Sequence, residues 1–296
     1  MKPLGRLLTA MVTPFNDKGE VNYEQAKKLA LALLDSGSDG VVLAATTGES
    51  PTLVREEEAR LFTEVKSALG GRGSIIAYTG SNSTAEAVAA TKAAEKIGVD
   101  GCLSVVPYYN KPTQEGIYQH FKAIAENTSL PIIMYNIPGR VVIKMSLETI
   151  IRLSRIDNIV GVKEASGDMG LVAQTLDNAG KDFLIWSGND NDTFQIMALG
   201  GYGTIGVATH LVGKQIKQMM EAILSSKIAE AAAIHRHLLP LVDALFIETS
   251  PAPVKYALNH LGFNVGKPRL PLVDVSEKSA AIIRETLKKY KVDLPI

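Results

Sequence analysis

Short, almost wholly apolar, β-branched runs recur along this chain and leave few folds open to it. They cover residues 8–12, 40–44, 74–78, 101–105, 131–135, 159–163, 183–187 and 203–207. Continuous apolarity, in place of strict alternation, marks strands buried on both faces of a parallel sheet. The runs recur at a period of very roughly 25 to 35 residues, the size of one βα unit, and amphipathic stretches lie between them. The pattern predicts an α/β fold of the (β/α)8 TIM-barrel class. A chain of 296 residues is within the range that such barrels occupy as one unit. An open doubly wound sheet would carry a Gly-rich nucleotide turn after its first strand, where this chain has Thr13-Pro14-Phe15.

Helix signals fill the intervals. Ser83 and Glu86 read as a capping box opening a helix that Gly98 ends. Asn22, Ser146 and the Asn189-Asp190-Asn191 cluster are further start signals. After the eighth run, apolar-periodic segments cover approximately 213–225, 228–246, 253–261 and 276–290. One of them completes a barrel. The remainder predicts a C-terminal helical appendage, so residues 1–224 are read as the catalytic barrel and 225–296 as a helical region packed on it.

Charge and cysteine usage exclude several function classes. Thirty-one basic residues balance 31 acidic ones, which leaves no net field to draw nucleic acid or an anionic membrane. No run of about 18 apolar residues is present to span a bilayer, and the first residues lack the cleavage site of a secretory signal. A cytoplasmic protein is expected. Cys102, the only cysteine, has no activating neighbour and reads as buried filler. The five histidines, His120, His210, His235, His237 and His260, show no zinc spacing. No metal is predicted.

In barrels the working side chains stand at the C-terminal ends of the strands. Here those ends carry Thr46-Thr47-Gly48-Glu49-Ser50, Pro107-Tyr108-Tyr109-Asn110, Tyr135-Asn136-Ile137-Pro138-Gly139-Arg140 and Lys163-Glu164. Lys163 directly follows an apolar run and is expected at the barrel mouth. Most lysines are solvated surface groups, but one held in a desolvated pocket has a lowered pKa and can attack a carbonyl as the free amine. The resulting imine is an electron sink, so carbon–carbon bond chemistry can proceed without metal or organic cofactor. Tyr135 is then the candidate proton carrier, with Thr46 and Tyr109 as its partners. Each tyrosine alone reads equally well as a core aromatic; their coincidence around one lysine favours chemistry. Arg140 reads as a bidentate carboxylate clamp or as an exposed loop arginine. The Thr46 and Thr47 amides, in a turn ending at Gly48, would form an anion nest.

These motifs, with Tyr108-Tyr109-Asn110-Lys111-Pro112, Gly161-Val162-Lys163-Glu164-Ala165, Trp186-Ser187-Gly188-Asn189-Asp190 and Pro251-Ala252-Pro253-Val254-Lys255, closely resemble the dihydrodipicolinate synthase family from end to end. The resemblance implies a lyase that condenses pyruvate with L-aspartate 4-semialdehyde to 4-hydroxy-tetrahydrodipicolinate, on the route to diaminopimelate and lysine. It implies Lys163 as the Schiff-base residue and Tyr135 as proton donor and acceptor. Thr46 and Tyr109 would complete the relay, Tyr109 from a neighbouring subunit of a homotetramer built as a dimer of dimers. Thr47, Ile205 and Gly188 would meet substrate, and Arg140 the semialdehyde carboxylate. Ser50, Asn82, Glu86 and Tyr108 match the pattern of an L-lysine inhibitor site, whereas Pro51, Arg55 and Glu58 depart from that of a lysine-sensitive form. Glu86 reads equally well as a capping-box acid. Two other functions remain open: N-acetylneuraminate lyase or another 2-keto acid aldolase, against which Arg140 argues, and a non-catalytic ligand-binding paralogue, against which the intact relay argues.

Overall fold

The computed structural model describes residues 3–295. Among them eight strands, β1 (Leu7–Ala10), β2 (Gly40–Leu43), β3 (Ser74–Tyr78), β4 (Gly101–Val105), β5 (Ile132–Asn136), β6 (Ile159–Glu164), β7 (Leu184–Ser187) and β8 (Gly203–Gly206), close into a barrel in chain order. The predicted (β/α)8 class is what forms. Each apolar run holds a strand, with every strand end within two residues of the run's own. Residue 131 lies outside β5 because proline has no N–H for the ladder; it contributes its carbonyl, which accepts from the Cys102 amide at 2.8 Å.

The helices are α1 (Tyr23–Asp35), α2 (Arg55–Leu69), α3 (Thr84–Ile97), α4 (Gln114–Ala125), α5 (Pro138–Val141), α6 (Leu147–Leu153), α7 (Met169–Asn178), α8 (Thr193–Ala198), α9 (Thr209–Leu224), α10 (Ile228–Leu245), α11 (Ala252–His260) and α12 (Glu277–Leu287). Asn22 and Ser146 cap α1 and α6 as expected, accepting from the Gln25 and Thr149 amides at 3.1 and 3.2 Å. Two start signals work differently. Ser83 accepts from the Glu86 amide at 3.4 Å, but Glu86 does not close the box. The Ser81 hydroxyl stands between, accepting from the Ser83 amide at 3.1 Å and donating to Glu86 Oε2 at 2.8 Å. Asn189 does not cap: its side-chain amide donates to Asp192 at 2.8 Å, and a 3-10 turn over Asp190–Asp192 precedes α8.

Two compact units are distinguishable by their internal contacts, one running from Ile76 to Ile205 with residues 3–6, the other from Leu7 to Ile75 and over residues 206–295. In the first, β5 and β6 pair so that Tyr135 stands beside Lys163 and Asn136 beside Glu164, and β7 places Trp186 on the other side of Lys163. Trp186 is fully buried and its indole N–H donates to Gly5 O at 3.0 Å. Cys102 is also fully buried, which pushes its thiol up to about 12, far from a reactive thiolate.

In the second unit β1 pairs with β2, α9 packs on β1, and α10 packs on α9, α11 and α12. The buried His210 ties the start of α9 to the end of β1: Nε2 accepts from the Val12 amide at 3.2 Å and Nδ1 donates to Val207 O at 2.8 Å. Burial lowers its pKa to about 4, the Val207 contact opposing the shift. The unfolded chain therefore takes up a proton below about pH 6.5 that the folded chain refuses until about pH 4, so acid removes stability across that window. Going from pH 7 to pH 5 is expected to cost about 2 kcal/mol through this group. Urea midpoints for wild type and His210→Gln check it; an equal loss in both would assign the effect elsewhere.

Candidate active site

Lys163 is the penultimate residue of β6 and is 4% exposed. The ammonium position lies 4.4 Å from the centroid of the Tyr135 ring on β5. Burial lowers the Lys163 pKa to about 8, the charge of Asp190 opposes that shift, and the charge of Arg140 adds to it. At pH 7 roughly a tenth of the molecules then carry the free amine, against fewer than about one in a thousand for an ordinary lysine.

The strand ends around Lys163 are built to leave it in place. Gly188 follows β7, and its amide donates to Glu164 O at 2.7 Å. A Cβ there would lie 2.7 Å from Ala165 Cβ and 3.1 Å from Lys163 Cγ, so only glycine lets this turn pass against the lysine stem. Glu164 is buried, which raises its pKa. Its carboxylate accepts from Asn136 Nδ2 at 2.8 Å and from the Ser166 amide at 2.7 Å, and Asn136 Oδ1 accepts from the Met145 amide at 3.1 Å. This network joins the ends of β5 and β6 to the far side of the loop that carries Arg140. Sequence reasoning did not assign Asn136 or Glu164 a role; the available signal was a polar pair closing two apolar strands.

The remaining candidates of the first unit occupy distinct settings. Tyr135 is buried and Ile205 on β8 fully so. Arg140 is exposed on the single turn of α5, and Val142 just after it has φ 74°, strained for a β-branched residue. Tyr108 and Tyr109 lie on the loop after β4; Tyr109 is 90% exposed and also has positive φ, 70°. Asn110 Nδ2 donates to Asn82 O at 2.8 Å, bringing this loop beside the one leading to Glu86, itself exposed on α3.

In the second unit Thr46, Thr47 and Gly48 form a turn after β2. Thr46 O accepts from the Glu49 amide at 3.1 Å and Ala45 O from the Ser50 amide at 3.2 Å. The Thr13 hydroxyl donates to Gly48 O at 2.6 Å. Thr47 is buried and Thr46 half-buried. Directly behind the turn lies a pair that sequence reasoning missed: Lys255 on α11 and Glu49, 2.7 Å apart, both fully enclosed. Among the described residues no group of three or more His, Cys, Asp or Glu is placed to hold a metal ion, and no helix is long and apolar enough to cross a membrane.

A (β/α)8 barrel that presents a desolvated amine on its sixth strand, beside a buried phenol on its fifth, has the architecture of a class I aldolase, a lyase that works through an imine. The dihydrodipicolinate synthetase family model matches residues 3–290, and the chain belongs to that family. It is 62% identical, over the full length of both chains, to a 4-hydroxy-tetrahydrodipicolinate synthase of Dehalococcoides mccartyi. Among solved structures it is similar to a dihydrodipicolinate synthase of Bacillus anthracis (41% identity, TM-score 0.96, covering 98% of this chain and 100% of the other). It is also similar to the enzyme of Cyanidioschyzon merolae with lysine bound (45%, 0.95, 97% and 98%).

Proposed function

We propose that the chain condenses pyruvate with L-aspartate 4-semialdehyde to give 4-hydroxy-tetrahydrodipicolinate, a step of diaminopimelate and lysine biosynthesis. The observation that carries this reading is the buried Lys163 amine against Tyr135, in a chain so close to a named synthase. The free amine attacks the pyruvate ketone and water leaves, giving an imine. Loss of a methyl proton yields an enamine, whose carbon attacks the aldehyde and leaves the 4-hydroxyl. The amino group of the former semialdehyde then attacks the imine carbon, which closes the ring and returns the Lys163 amine. The imine nitrogen itself accepts the electron pair, so these steps need neither metal nor organic cofactor.

Tyr135 moves the protons, with Thr46 and Tyr109 completing the relay. Thr47, Ile205 and Gly188 meet pyruvate, and Arg140 holds the semialdehyde carboxylate by a two-pronged hydrogen bond. Tyr109, almost fully exposed on its own chain, acts in a neighbouring subunit of a homotetramer. Residues 1–224 make the catalytic barrel and 225–296 its helical appendage, and the enzyme works in the cytoplasm without nucleic-acid or membrane partners. Ser50, Asn82, Glu86 and Tyr108 form an L-lysine site. The bond from Asn110 to Asn82 and the bound lysine of the Cyanidioschyzon merolae relative support it. Arg55, beside that group in sequence, is held by Glu58 at 2.7 Å.

Product analysis with either substrate set tests the reaction. Formation of the cyclic product from pyruvate and the semialdehyde, with no pyruvate released from N-acetylneuraminate, is expected; the reverse would make the chain a sugar-acid lyase. Arg140→Ala is expected to raise KM for the semialdehyde about 10- to 100-fold, the worth of a charge-assisted hydrogen bond, and to leave KM for pyruvate unchanged. Equal changes in both constants would remove Arg140 from the clamp.

A further inference from the structure

We propose that Lys255 and Glu49 are positioning residues for the condensation: their buried ion pair fixes the Thr46–Thr47 turn in its working geometry. The proposal rests on the reading that Thr46 belongs to the proton relay and Thr47 to the pyruvate site.

The ammonium of the pair is fully saturated, and both carboxylate oxygens are held. Lys255 Nζ donates to Glu49 Oε1 at 2.7 Å, to Thr13 O at 3.0 Å and to Lys267 O at 3.1 Å, which uses all three ammonium hydrogens. The other Glu49 oxygen accepts from the Arg269 amide at 2.8 Å. The Arg269 side chain in turn forks onto Glu57 at 2.8 and 2.6 Å and donates to Thr52 O at 2.7 Å. Lys255 and Arg269 both lie over the Phe15 ring, 4.2 and 4.4 Å from its centroid.

Two grips from this centre act on one turn. Glu49, two residues beyond Thr47, is held at φ 60° and ψ 38°, a left-handed conformation that a non-glycine residue adopts at a cost. Its carboxylate is anchored on both oxygens, so the chain direction leaving Gly48 is set. The second grip is Thr13: its carbonyl accepts from Lys255, and its hydroxyl donates to Gly48 O at 2.6 Å. Lys255 therefore holds the turn through its exit and through its clamp at once.

Stability alone does not account for such a pair. Enclosing two charges costs desolvation, and apolar residues of similar shape often serve the folded state as well or better. An apolar pair cannot supply fixed hydrogen-bond directions to a backbone turn, and displacing a relay group by about 1 Å can cost on the order of a hundredfold in rate.

The test removes the charges together, so that neither is left unpaired. Lys255→Met/Glu49→Leu is expected to fold with a lowered melting temperature, because the Thr13 and Lys267 carbonyls and the Arg269 amide lose these partners, and still to form the borohydride-trapped pyruvate adduct on Lys163. Its kcat should fall about 10- to 100-fold, with KM for the semialdehyde nearly unchanged. Wild-type kcat in a folded double variant would overturn the proposal. If the double variant does not fold, Thr13→Val, which removes only the hydroxyl on Gly48 O, decides instead. A kcat lowered severalfold at unchanged melting temperature supports the clamp, and unchanged kcat overturns it. Thr46→Val separates the two layers. Full turnover in Thr46→Val removes the relay reading and the proposal with it, whereas lost turnover there beside full turnover in the double variant removes the positioning role alone.

Discussion

Lys163→Met is expected to lose turnover by on the order of 10⁴-fold or more, since no other group can form the imine, and to melt at a higher temperature than wild type. Both effects come from the burial of one amine. Its pKa of about 8 lies well below the ordinary lysine value of 10.5. Between those values the unfolded chain holds a proton that the folded chain has shed, so stability rises with pH across the window and the full penalty applies below about pH 8. At pH 7 the penalty is about 3 kcal/mol. A methionine fills the space of the stem without a charge to desolvate, so most of that penalty disappears while the chemistry goes with it. Thermal melts at pH 7 and 10 should show the gap between variant and wild type narrowing as pH rises. A variant less stable than wild type at pH 7 would mean that packing or the Tyr135 ring contact outweighs desolvation.

Tyr135→Phe is expected to lower kcat by about 10² to 10⁴, the usual worth of a positioned proton carrier, without preventing imine formation. The substitution keeps the ring that lies 4.4 Å from Lys163 Nζ and removes only the hydroxyl. Pyruvate should therefore still be trapped on Lys163 by borohydride, although product does not accumulate. Rapid-quench analysis distinguishes this from a structural failure: loss of the trapped adduct together with product would make Tyr135 a support for the lysine and not a proton carrier.

The barrel was legible in the sequence because burial on both faces leaves each strand a solid apolar run, and eight such runs admit few topologies. Lys163 was legible for a related reason, a charged group at the end of a run being conspicuous. Lys255 was not. It lies on an amphipathic helix, where a lysine ordinarily faces water, and its partner Glu49 is 206 residues away. Nothing local distinguishes it from a solvated residue. His210 was hidden likewise, its two partners being the backbone groups of Val12 and Val207. Local pattern gave the right residues but the wrong connection at Ser83 and Glu86, where the hydroxyl of Ser81 enters the bond path. At Asn189 it gave a cap where the side chain takes Asp192 instead.

Intact mass after borohydride reduction with pyruvate, on wild type and Lys163→Met, reads the imine itself. Wild type should gain the mass of one reduced pyruvate adduct per chain and the variant none. Wild type that gains no adduct while it consumes substrate, or a variant that gains one, would contradict an imine on Lys163.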